Sequence, residues 1–179
     1  MTGSGSSTLR LEPAVRTYRS GDGNLVRTPE QHFLDLVVDG RALRDRFDSA
    51  NVITPLHRST ATDLLPGDVD MFLGRAQVPE LDDGRIAVFV CLICGDIGCW
   101  GVSAGLTVAA GTVTWSAFRW ENGTVGIVPV AELPAPIVFD RAAYESAFSG
   151  AAERVAAFPY DELAHHGRRV RWPWQWGWR

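Results

Sequence analysis

The stretch 85–120 constrains the fold more than any other part of this chain. It contains "RIAVFVCLIC", "GVSAGLTVAAG" and "TVTWSAFRW", and the connections between them are short. The first segment is rich in β-branched and aromatic residues, as expected of a buried strand. The second alternates, placing Val102, Ala104, Leu106 and Val108 on one face. The third alternates as well, with Val113, Trp115 and Ala117 facing one way and Thr114, Ser116, Phe118 and Trp120 the other. Strands joined this closely run antiparallel, because a parallel neighbour needs a crossover of about a dozen residues. The region predicts an antiparallel meander, with Ala110-Gly111 as a tight turn.

The flanks extend the meander into an α+β domain. Residues 1–8, rich in Gly, Ser and Thr, are expected to be disordered. Strand character follows over 9–18, and "SGDGN" at 20–24 reads as a turn. "HFLDLVVD" predicts a largely buried strand ended by Gly40, and "RALRDRFD" a short helix. "TDLLPGDVDMFLG" at 62–74 is expected to be helical around its Pro-Gly break. Segments 124–130 and 137–139 are candidate further strands. Asp140 is a good N-cap for "RAAYESAFSGAAERVAAF", where Tyr144, Phe148 and Val155 form one stripe. Gly150 weakens that helix by about 1 kcal/mol relative to alanine, and Pro159 ends it. The expected architecture is a single α+β domain over 9–167, an antiparallel sheet with a few helices, one of them near the C-terminus. An arm rich in Trp and Arg follows at 168–179.

All three cysteines of the 179-residue chain fall within "CLICGDIGCWG", at Cys91, Cys94 and Cys99. The meander puts Cys91 near the end of one strand, Cys94 in the connection and Cys99 at the start of the next strand. Three readings stay open. The cysteines can pack as small apolar side chains, with Asp96 capping the turn and Gly95 and Gly98 supplying positive φ. They can hold zinc, since a C-x-x-C-G turn converges two thiolates and curls backbone amides toward sulfur. A structural zinc site needs four ligands, so the fourth would be Asp96, His32, His57, His165, His166 or a group from another chain. The third reading is redox chemistry, which suits a thiolate at a helix N-terminus. "GDIGCWG" is too rich in glycine to begin a helix, and Asp96 disfavours a nearby thiolate.

The motif also carries a resemblance. On Cys91, Cys94, Gly95, Asp96, Ile97, Gly98 and Cys99, followed by Trp115 and Phe118, the stretch 85–121 resembles a family of uncharacterised bacterial proteins, mostly actinobacterial. The chain departs from that pattern at Trp100, where a small residue is expected, and at Ala117, where an acid is expected. The resemblance implies a shared motif and brings no activity with it.

Composition excludes several chemistries. All 17 basic residues are arginine, so neither a Schiff-base lysine nor a lysine-bearing phosphate loop is possible. No H-E-x-x-H or G-x-G-x-x-G occurs. Asp22 and Asn24, and Asp82-Asp83-Gly84, lack a full calcium ladder and read as turns. The adjacent His165 and His166 read as a solvated pair. No apolar run reaches membrane-spanning length and "MTGSGSSTLR" lacks a signal core, so a cytoplasmic protein with reduced cysteines is expected.

The last informative stretch is "RRVRWPWQWGWR". Trp172, Trp174, Trp176 and Trp178 recur at every second position, which in an extended chain puts four indoles on one face. With Arg171 beside them they are candidates for binding a protein partner or a second copy of the chain. Nucleic acid is disfavoured, since all 21 acidic residues lie at or before Glu162 and make the body of the chain negative. The functional expectation is a non-catalytic protein acting through protein contacts or self-association. The alternative is a zinc-binding or thiol-dependent enzyme using Cys91, Cys94 and Cys99.

Overall fold

A computed structural model describes residues 5–17, 30–47, 51–58, 65–82, 84–122, 128–129 and 135–160. The Trp-rich arm, His165 and His166, and the "SGDGN" turn lie outside the described residues. Among the described residues, two antiparallel sheets and three short α-helices make up the α+β fold. No helix among the described residues is long and apolar enough to cross a membrane.

In the first sheet β2 (Gln31–Val38) lies between β1 (Leu9–Arg16) and β3 (Arg41–Ala42). The β2–β3 turn is Asp39-Gly40, both at positive φ, the backbone that a two-residue hairpin loop needs. Residues 33–38 of β2 are buried on both faces, which accounts for their nearly continuous apolar run. Asp35 interrupts that run, and its carboxylate lies 3.0 Å from Arg44 Nε. Burial pushes this carboxyl above its ordinary value, while the Arg44 charge and the Leu36 N–H act in the opposite direction.

The second sheet contains the expected meander as β5 (Arg85–Cys91), β6 (Gly101–Val108) and β7 (Thr112–Glu121). Strand β4 (Val52–Ile53) flanks β5. The outer edge of β7 is shared by β8 (Val128–Pro129) and β9 (Ile137–Asp140). The two sheets meet at both edges. Ser7 N–H donates to Val138 O at 2.7 Å, joining the approach to β1 with β9. On the other side the 54–58 segment leaves β4 and pairs with β2, through Leu34 N–H to Leu56 O (2.9 Å) and Arg58 N–H to His32 O (2.8 Å).

Trp115, fully buried, centres one half of the core. Its indole N–H donates to Tyr144 Oη at 3.1 Å, and the Tyr144 hydroxyl donates to Phe72 O at 2.8 Å. That chain ties α1 (Leu65–Phe72) and α2 (Arg141–Ala147) to the sheet, and Phe72 stacks on Phe148 at 5.0 Å. Each polar atom of the two aromatic side chains thereby has a partner, as burial requires.

Four local expectations are corrected. Ala117 does not face the way of Trp115: it is exposed at φ 48°, and two residues of β7 oppose Ala104 of β6 in a bulge. The extra residue reverses the alternation and sends Phe118 into the core beside Phe47. The C-terminal helix is split, because Gly150 adopts φ 67° and separates α2 from α3 (Ala151–Ala156). Asp140 does cap α2, accepting from Ala143 N–H at 2.9 Å. "RALRDRFD" forms β3 and a single 3-10 turn at Leu43–Arg46 instead of an α-helix. In α1, Pro66 stands in the first turn, where its missing N–H costs nothing, so it starts the helix where a break was expected.

Arg85 braces the bulge by donating to Ala117 O at 2.9 Å, and it also reaches Ser103 Oγ. An alanine held left-handed costs about 1 kcal/mol. Ala117→Gly is expected to raise stability by about 0.5 kcal/mol, and Ala117→Val to lower it by about 1–2 kcal/mol. Urea denaturation of the three proteins checks both signs.

Candidate metal centre

The cysteine corner is held by its own backbone. β5 ends at Cys91, whose carbonyl accepts from Gly95 N–H at 2.9 Å. Gly95 has φ 72°, which turns the chain back on itself. Asp96 Oδ1 accepts from Gly98 N–H at 2.7 Å, the capping role expected of it. Gly98 does not have the positive φ expected of it; of the two glycines only Gly95 does. Leu92 N–H donates to Asn51 O at 2.9 Å, fixing the corner to the approach to β4, and the buried Ile97 anchors it from below.

The three sulfurs converge within 4.8 Å of one another. Sulfurs bound to one zinc at about 2.3 Å stand about 3.8 Å apart in a tetrahedron, so small side-chain rotations suffice to seat an ion. Cys91 is buried, Cys94 and Cys99 are exposed, and all three are free thiols. The nearby backbone N–H groups of Cys94 and Ile93 favour the charged form of Cys91, and that of Asp96 favours the charged form of Cys94. The Cys94 thiol donating to Cys91, helped by these amides, draws Cys91 down to about 5. Cys94, which carries the shared proton and is partly buried, is pushed up. Partial burial, and the charges of Cys91 and Asp96, raise Cys99. Of the three, Cys91 is favoured as a thiolate, while Cys94 and Cys99 are shifted toward the thiol form that a soft divalent ion must deprotonate on binding.

Beside the corner lies a cleft of about 780 Å³ whose lining includes His57, Asp68, Met71, Cys94, Gly95 and Ile97. Of the fourth-ligand candidates, His57 and Asp96 line this cleft. His32 is engaged elsewhere, 3.7 Å from Glu30 and against the ring of Phe158. Asp82, read from the sequence as part of a turn, pairs with Arg119 at 2.8 Å. Asp68 is a cleft residue that the sequence reading did not single out, and burial pushes its carboxyl up to about 7. No feature of "PGDVD" marks that depth. Trp100, expected to be small, stacks on Trp120 with ring centroids 4.8 Å apart.

No protein-family model, curated protein or solved structure matches this chain. The site therefore has to be read from its own geometry.

Proposed function

We propose that the protein binds a thiophilic divalent ion, zinc foremost, through Cys91, Cys94 and Cys99. The observation that carries this reading is the convergence of three sulfurs within 4.8 Å of one another on one tight turn. Packing alone accounts for Cys91, which is buried, but gives no reason for two exposed thiols at the same point. Cys94 and Cys99 are exposed residues and the cleft adjoins Cys94, so an ion held there sits at the surface. A zinc-dependent binding or reactive centre follows more readily from this placement than an ion on which folding depends. Action through protein contacts or self-association remains a companion proposal, supported by the sequence of Arg171, Trp172, Trp174, Trp176 and Trp178 alone.

Elemental analysis of reduced protein, purified without chelator from zinc-supplemented cells, tests the reading. The expected result is about one zinc per chain, released by a thiol-blocking mercurial and lost in Cys94→Ser and Cys99→Ser. The single serine variants should keep the melting temperature of the zinc-free wild type. A wild type that takes up less than about 0.1 zinc per chain after reduction and zinc titration would sink the proposal.

A further inference from the structure

We infer that His57, through Nε2, closes the centre as its fourth ligand, giving a Cys3His site made by one chain. The inference rests on the metal reading above and goes beyond it by naming the ligand and the device that orients it. His57 lies on the 54–58 segment, whose backbone is fixed on both sides: His57 N–H donates to Pro55 O at 2.8 Å, and the residue bridges to Phe33 of β2. Its Nδ1 stands 3.2 Å from Thr54 O. A carbonyl there selects the Nδ1–H tautomer, which leaves the ring lone pair on Nε2. Ligating histidines are commonly oriented this way, with the second ring nitrogen donating to a carbonyl or carboxylate. The carbonyl is itself well placed, since Thr54 is fully buried and its hydroxyl donates to Leu34 O at 2.7 Å.

The far edge of the ring lies on the cysteine turn. Cε1 and Nε2 are each 3.3 Å from the point where a Cβ on residue 95 would stand. Glycine between Cys94 and Asp96 thus permits both the left-handed turn and the close approach of the imidazole. Nε2 lies outside the tight set formed by the three sulfurs, so closure takes a movement of the Cys94–Gly95 turn onto the ring. The competing carboxylate, Asp96, already uses Oδ1 to hold Gly98 N–H, and drawing it to an ion would undo the cap on the turn.

Cadmium-113 NMR on the full, reduced chain tests the assignment, with cadmium as a spectroscopic substitute for zinc. The wild type is expected to give one resonance in the range of three sulfurs and one nitrogen, correlated through the metal to the protons of one imidazole. In His57→Ala and His57→Gln that correlation should vanish and the resonance should move to the range of three sulfurs with oxygen. Competition with a chromophoric chelator should show at least a 100-fold loss of zinc affinity in both. The wild-type correlation needs no variant, so misfolding of either substitution does not obscure the answer. A wild type that binds cadmium without an imidazole correlation overturns the histidine assignment and leaves the thiolate centre standing. A wild type that binds neither cadmium nor zinc removes the thiolate centre and the assignment together.

Discussion

Gly101→Ala is expected to lower the stability of the protein by about 3 kcal/mol or more and to weaken ion binding at the corner. A Cβ at this position would fall well under 3.0 Å from both the carbonyl oxygen of Phe89 and Cδ1 of Ile97. Neither neighbour yields easily. The Phe89 carbonyl belongs to β5, which is paired with β6 at this point, and Ile97 is the buried anchor of the cysteine loop. Relief requires β6 to move away from β5 or Ile97 to leave its pocket, and either change disturbs the spacing of the sulfurs. Overpacking of a closed site usually costs about 1–3 kcal/mol, and backbone on one side of this clash puts it at the upper end. For a chain of this size the melting temperature should fall by roughly 6–12 °C. Gly111→Ala is the matched control, because nothing lies within 4 Å of its Cβ position. Calorimetry showing equal melting temperatures for the two variants would contradict the packing described at the corner.

Asp68→Asn is expected to stabilise the protein at alkaline pH and to leave it unchanged in mild acid. Burial raises the Asp68 carboxyl from an ordinary 3.8 to about 7. Its place in the first turn of α1 favours the charged form, but a helix terminus is worth only about 0.3–1 kcal/mol and burial outweighs it. Glu80 and Asp96 share the cleft and offer no compensating charge; His57 and Cys94 are the other titratable groups there. Between about pH 4 and pH 7 the folded chain keeps a proton that the unfolded chain has released. Stability therefore falls as pH rises through that window, and the full penalty is present above about pH 7. The difference between the two titrations corresponds to about 4 kcal/mol at most. Partial contact with water reduces the expected gain from Asn to about 1–3 kcal/mol. Melting temperatures of the zinc-free protein and variant, at about pH 4.5 and about pH 8, should differ only at the higher pH. An equal shift at both would mean that the carboxylate is not the source.

The meander was legible because β-strand alternation and short connections are local signals. β5, β6 and β7 fall where the pattern puts them. The bulge was not legible, since the parity of β7 changes at Ala117 only through its two-to-one pairing with β6 and the reach of Arg85 across the sheet. Gly150 was readable as a cost to a helix, but its left-handed φ, which splits that helix, depends on how Phe148 and Ala151 pack. At the candidate site the three cysteines were legible because nine residues of sequence contain them all. His57 was one name among several until the 54–58 segment carried it from β4 to the edge of β2 and over Gly95. Asp68 had no signal, because the depth of a carboxylate depends on what the rest of the chain places around it.

The Trp100–Trp120 stack gives the corner an optical signature of its own. Two indoles stacked at 4.8 Å, with ring planes 24° apart, are expected to couple their electronic transitions and to give an exciton-split circular dichroism band that separated tryptophans lack. Trp100 directly follows Cys99, while Trp120 belongs to β7 and rests edge-on against Phe47. One member of the pair is therefore attached to the cysteine loop and the other to the sheet. An ion drawing Cys99 inward would change the angle between them and hence the splitting of the band. The chain can thus report the state of its own corner without an added label.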